Sequence, residues 1–245
     1  MHELVYILGA TLFVSLISFV GVFTLAMKKK DLEKSILLLV ALSAGALMGG
    51  AFLHLIPEAV ESSVGDNVFL FVLIGFIAFF FIEKVLHWRH CHKDHCEVHS
   101  FAYMNIFGDG VHNFIDGLII AVSFMIDVQV GIVSTTAIIL HEVPQEIGDF
   151  GVLLHGGFSK VKALVLNFIS AVTAIVGGVV GYLLSGVAET FTLILLPFAA
   201  GGFIYIAASD LIPELRQAKD IWKSSLIFLV FLIGIFLMYA VKFLE

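Results

Sequence analysis

The chain has 245 residues, 60% of them hydrophobic and only 13% charged, with a formal net charge of −7. A water-soluble domain carries roughly 25% charged residues, so a soluble globular protein is excluded and lipid is left as the solvent. Two cysteines argue against a disulfide framework; the net charge says little about partners in a membrane protein, and no nucleic-acid partner is expected.

Backbone groups in hydrocarbon need internal partners, so a spanning segment is a helix or part of a closed barrel. The apolar runs here are continuous over about 20 residues, which is the length of a spanning helix. The predicted fold class is therefore an all-α integral membrane protein with eight transmembrane helices, and the predicted organisation is one transmembrane domain over 1–245. The first span, 4–26, is followed rather than preceded by its basic cluster and shows no small-residue cleavage site, so it reads as a span and not as a cleaved signal. The remaining spans are expected at 35–57, 67–87, 103–126, 129–155, 161–184, 191–212 and 224–244. Polar breaks separate them at 28–34, 58–67, 87–100, 155–162 and 216–223, with short turns near Asp127 and Glu189.

Lys28, Lys29, Lys30 and Lys34 fall between spans one and two. Lys84, Arg89 and Lys93 fall between three and four, Lys160 and Lys162 between five and six, and Arg216, Lys219 and Lys223 between seven and eight. That is 12 of the 13 basic residues on one side, leaving Lys242. Basic loops stay cytoplasmic, so both termini are expected outside, in a plasma or inner membrane.

Span two carries Gly45 and then His54-Leu55-Ile56-Pro57-Glu58. Span seven carries Gly201 and then Asp210-Leu211-Ile212-Pro213-Glu214, at a constant offset of 156 residues. The spacing predicts an inverted repeat, helices one to three against six to eight, with the substrate site at the repeat interface.

Ionisable groups inside spans are costly and mark function. In span four, Asp109, His112, Asn113 and Asp116 sit at offsets 0, 3, 4 and 7, one face of a helix. In span five, His141, Glu142, Gln145, Glu146 and Asp149 form a second stripe. Two adjacent stripes of imidazole, amide and carboxylate make a cage that replaces the water shell of a divalent ion. Imidazole suits zinc and late first-row ions, and oxygen ligands suit harder ones. Pro144 removes one helical hydrogen bond and releases the carbonyl of Leu140. His54 with Glu58, and Asp210 with Glu214, together with Asp109 and Asp149, are candidates for the points where ions come in and leave. Met48, Asn167 and Ser170 read as packing. The 87–100 loop holds His87, His90, His92, His95 and His99 beside Cys91 and Cys96, and reads as a cytoplasmic metal-collecting tract. A metalloprotease is disfavoured, because His141-Glu142 lacks a histidine at position 145. No catalytic cofactor is expected; zinc or another divalent ion is substrate. A metal-selective channel and an efflux carrier would use the same residues.

His112-Asn113-Phe114-Ile115-Asp116-Gly117 and His141-Glu142-Val143-Pro144-Gln145-Glu146-Ile147-Gly148-Asp149 resemble the two signature motifs of the ZIP (Zrt/Irt-like) metal transporters, the second that of the HE-x-P-HE-x-GD subfamily. The resemblance covers essentially the whole chain. It implies metal uptake toward the cytoplasm by an elevator-like motion of four central helices, and a homodimer. It also implies a first site lined by His112, Asp116, His141 and Gln145, and a neighbouring one of Asn113, Glu142 and a shared Asp116. Three positions depart from the pattern: Gln145 replaces the usual histidine, Leu140 precedes His141, and no carboxylate stands near Thr173 and Ala174.

Overall fold

The structure, a computed structural model, describes residues 2–26, 29–61, 67–90, 99–216 and 220–241. Every regular element among them is helical. Helix α1 (His2–Ile17) runs on through a 3-10 stretch, Ser18–Ala26. Helix α2 (Lys29–Gly50) passes through a π turn, Ala51–Leu55, into α3 (Ile56–Glu61). Then follow α4 (Val68–His90), α5 (Ser100–Ile126), α6 (Val128–His155), α7 (Lys160–Ala171) and α8 (Thr173–Leu183). Helix α9 (Ser185–Tyr205) passes through a second π turn, Ile206–Leu211, into α10 (Ile212–Leu215), and α11 (Ile221–Val241) follows.

Seven helical segments among the described residues are long and apolar enough to cross a membrane. The eighth expected span is α6, which is long enough at 28 residues but is diluted by its own polar stripe. That stripe is turned inward: Glu142, Gln145, Glu146 and Asp149 are all buried.

Three boundaries differ from expectation. The sixth span is interrupted at Val172, because Ser170 and Thr173 hydroxyls bond back to the carbonyls of Asn167 and Ser170 at 2.9 and 2.6 Å, a pattern that bends helices. The join before the seventh span is at Leu184, and Glu189 lies inside α9. Helix α4 continues to His90, so His87 and His90 stand on its last turns rather than in a loop. Cys91, His92, His95 and Cys96 lie outside the described residues.

The predicted repeat has a structural counterpart. Each LIPE copy follows a π turn, where the proline removes a donor and its ring presses on the preceding turn, so the helix widens. Gly45 lets α2 close on α11, since a Cβ there would lie 2.1 Å from the Phe231 carbonyl oxygen. Its counterpart Gly201 lets α9 close on α4 in the same way, 2.0 Å from the Val72 oxygen. Small residues at such crossings allow backbones to meet without a hydrophobic drive between helices. The copies are also inverted. Glu58 shares a cavity with Val133 and Ser134 near the start of α6, whereas Glu214 touches His155 at its end.

Candidate metal centre

The site depends on a one-residue turn. Asp127 is extended, with φ −163° and ψ 150°, so it ends α5 and caps α6, its side chain accepting from the Gln129 N–H at 2.7 Å. Helices α5 and α6 thus run antiparallel with their polar stripes facing each other. At their other ends, the Gly156 N–H donates to the Val152 carbonyl and Gly157 takes a positive φ of 101°.

The stripes converge at one point. Among the described residues, one set of His, Cys and carboxylate groups brings three or more ligand atoms together: His112, Asp116, His141 and Glu142, all within 4.8 Å of one another. Asp116 Oδ2 lies 3.6 Å from His112 Nε2 and 3.2 Å from His141 Nε2. Glu142 Oε1 lies 3.4 Å from His112 Nε2. The two imidazole centroids are 5.4 Å apart, close to the roughly 5 Å that two rings on one tetrahedral zinc require at Zn–N distances of about 2.0–2.1 Å. Phe203 of α9 packs on the His112 ring, with centroids 4.9 Å apart.

Several atoms of this cage have no hydrogen-bond partner: both His112 nitrogens, His141 Nδ1, both Glu142 oxygens and Gln145 Oε1. Buried polar groups are almost always bonded, and leaving them unbonded costs free energy. A divalent cation can take one nitrogen from each imidazole together with the carboxylate and amide oxygens, so the donor set fits a metal ion. His112, Asp116 and His141 of the cage line a cavity of about 250 Å³, together with residues that include Gly50, His54, Glu58, Ser134, Gln145 and Met238.

The other expected residues divide into separate groups. Next to His112, Asn113 Nδ2 donates to Asp109 Oδ1 at 2.9 Å, while its Oδ1 is buried without a partner. Glu146 accepts from Asn167, and Asp149 accepts from Ser43 at 3.0 Å. Asp109, Glu146 and Asp149 thus make a buried carboxylate layer on the far side of the cage from the cavity. Beyond it, His155 Nε2 meets Glu214 Oε2 at 2.8 Å. Asp210 keeps one buried oxygen unbonded, while Glu83 accepts from Ser100 and Tyr205. His99 stacks on Phe101, and Phe101 on His155. His54 lines the cavity and holds the Met238 carbonyl at 2.7 Å.

Sequence reading assigned nothing to His155, Glu83 or Ser43, and read Asn167 as packing. A lone Asn in an apolar span was the available signal for Asn167. His155 resembles an ordinary helix end until Glu214, 59 residues away, is placed beside it.

The sequence profile described as ZIP Zinc transporter matches residues 2–100 and 89–242, nearly the whole chain. The chain belongs to the ZIP family. Among curated relatives of this ZIP protein are the zinc transporter zipt-7.2 of Caenorhabditis elegans and the zinc transporter ZIP13 of Pongo abelii. The first is 32% identical over 98% of the chain and 66% of the relative, the second 33% identical over 82% and 65%. The zinc transporter SLC39A7 of Rattus norvegicus is 30% identical over 98% of the chain and 72% of its own length. The chain thus spans just under two thirds of the length of the first two relatives.

Proposed function

We propose that this chain, acting as one transporter domain, carries divalent metal ions across the membrane toward the cytoplasm, with zinc the first candidate. The observation that carries the reading is the convergence of His112, Asp116, His141 and Glu142 ligand atoms within 4.8 Å, with the first three lining a cavity. The relatives, each named a zinc transporter, support the same ion. Iron, manganese and cadmium compete for the site, because Gln145 supplies a neutral oxygen where an imidazole would favour zinc.

With the basic loops taken as cytoplasmic, Gly156 and the 87–100 tract lie inside, the cavity opens outward and both termini lie outside. An ion enters past Glu58 and His54, sheds water, and is bound by two imidazoles and two carboxylates. Movement of the α5–α6 pair and its neighbours against the rest, in elevator fashion, then turns the cage toward the carboxylate layer of Asp109, Glu146 and Asp149. From there the ion passes Asp210, Glu214 and the loop histidines. Ligand protons compete with metal, so protonation assists release. The protein works in a plasma or inner membrane as a homodimer surrounded by lipid. It performs no bond-making chemistry: Gln145 stands where a metalloprotease needs its second histidine.

Uptake of zinc, iron, manganese and cadmium into proteoliposomes tests this. Saturable uptake, lost in the His112→Ala, His141→Ala double variant, is expected. Unchanged uptake in that variant would remove the cage from the transport path, and non-saturating flux would favour a channel.

A further inference from the structure

Away from the cage, α5 and the α7–α8 pair enclose an apolar groove. Helices α5 and α8 meet backbone to backbone where Gly117 faces Ala174 and Gly177 faces Phe114: a Cβ on either glycine would lie 2.0 Å from the facing carbonyl oxygen. Two turns nearer the start of α5 the helices have parted. A Cβ on Gly110 would meet Ser170 Cβ and Thr173 Cγ2 only at 3.8 Å. The break at Val172 falls at this change of spacing. The parting leaves a groove of about 640 Å³, walled by Tyr103, Phe107 and Phe114 of α5, by Leu166, Ile169 and Val176 of α7 and α8, and by Leu195 of α9.

The groove suits a hydrocarbon chain. Ser170 and Thr173 also line it, but their hydroxyls are bonded to the carbonyls of Asn167 and Gly110 at 2.9 and 2.6 Å. A bound water needs two to four polar partners, whereas an apolar cavity holds apolar guests. Ile169 and Val176 are 56% and 51% exposed, so the groove opens on the bilayer. The ten residues from Leu166 to Val176 cover about 15 Å of helix, which is half of the roughly 30 Å hydrocarbon core. One acyl chain of one leaflet fits along it.

One end of the groove is charged. Lys162 stands four residues before Leu166 and shares its face of α7. Its Nζ lies 4.9 Å over the Phe158 ring, and that ring packs edge-on against Tyr103 with centroids 5.4 Å apart. The ammonium is thereby held beside the end of the groove, with Lys160 in the same turn. Anionic lipids concentrate in the cytoplasmic leaflet, and basic pockets between spanning helices bind their head groups.

We propose that this groove binds an anionic phospholipid, one acyl chain lying along Leu166, Ile169 and Val176 and the phosphate meeting Lys162 and Lys160. The leaflet is the one that holds these lysines, cytoplasmic in the orientation proposed above, and that is all the proposal takes from the transport reading. A chain seated there touches α5, which carries His112 and Asp116 of the cage, and α9 together.

The test is native mass spectrometry of the full-length protein, without zinc, offered phosphatidylglycerol and phosphatidylcholine with identical acyl chains. Phosphatidylglycerol is expected to be retained in preference, by about fivefold for each lysine that it meets. Lys162→Gln should lower that preference about fivefold. Gly110→Leu, which grows a side chain from the floor of the groove, should remove the most tightly held lipid of either kind; if it does not fold, Ile169→Trp is read in the same way. Undiminished retention in the groove-filling variant, or an unchanged preference in Lys162→Gln, would overturn the proposal. So would a dimer that the groove-filling variant splits, since a second copy of the chain would then cover the groove. Loss of zinc uptake bears on the cage and leaves lipid retention as it is, so the two readings fail separately.

Discussion

His141 Nε2 stands 3.2 Å from Asp116 Oδ2, so the first ligand of α6 is held against the last ligand of α5. The two residues are 25 positions apart, and the Asp127 turn between their helices brings them together. Asp116 also faces His112 at 3.6 Å, which makes it, among the described residues, the one carboxylate within 4 Å of both imidazoles of the cage.

Asp116→Ala is therefore expected to abolish more than a quarter of the coordination. It removes a ligand and also the charge that orients two others. Outer-shell changes alone weaken metal binding about 10–100-fold, so the loss of Asp116 should lower zinc affinity by at least the upper end of that range. Asp116→Glu should retain part of it. Isothermal titration of the purified protein and proteoliposome uptake check this; near-normal affinity in Asp116→Ala would place the ion elsewhere.

Gln145 is 3% exposed and lines the cavity with its Oε1 unbonded. Exchanging this amide for imidazole in Gln145→His should shift the competition order toward zinc and away from manganese, since nitrogen ligands favour the later first-row ions. Competition uptake with both metals reads the change as a ratio, which does not depend on expression level. An unaltered ratio would mean that Gln145 makes no bond to the ion.

Much of this was legible in the sequence because helical spacing fixes side-chain direction. His112 and Asp116 are four apart, and His141 and Glu142 open the second stripe, so the cage follows from two helices and a turn. The other limits were physical. Helix α6 carries its ligands inside a span, so its hydropathy understates its place in the membrane. The break at Val172 arises from hydroxyl bonds made by Ser170 and Thr173, not from a glycine or proline. Asn113 shares the α5 face with His112 and Asp116, and its Nδ2 bonds Asp109 at 2.9 Å while its Oδ1 stays unbonded, an orientation that spacing alone does not decide.

The glycine crossings offer a stability test independent of the metal. A Cβ on Gly201 would lie 2.0 Å from the Val72 oxygen, a backbone atom that cannot move aside, whereas at Gly9 there is nothing within 4 Å. Gly201→Ala should destabilise by about 1–3 kcal/mol, as overpacking does, or more if α4 and α9 separate. Gly9→Ala should be neutral or stabilise by up to ~1 kcal/mol through helix propensity. Thermal unfolding in detergent measures both; equal midpoints would mean that the α4–α9 crossing is looser than the geometry indicates.

The contact between His155 and Glu214 closes the face opposite the cavity, joining the end of α6 to α10 at 2.8 Å. Its side chains are 26% and 24% exposed, so solvent screens it and its worth is about 0–1 kcal/mol. One kcal/mol is roughly a fivefold change in an equilibrium. Glu214→Gln should therefore shift the protein modestly toward the state open on the Gly156 face, by up to about fivefold, without altering zinc affinity at the cage. The readout is alkylation of a cysteine placed at Ser43, which bonds Asp149 below the cage, in proteoliposomes treated from the cytoplasmic side. The Ser43→Cys protein serves as its own reference, with and without Glu214→Gln. Faster labelling in the double variant is expected, and His155→Ala should match or exceed it, because Glu214→Gln removes the charge from the contact and His155→Ala removes the contact itself. Equal labelling in all three proteins would mean that the His155–Glu214 pair holds nothing closed, and that the barrier on this face lies in the Asp109, Glu146 and Asp149 layer instead.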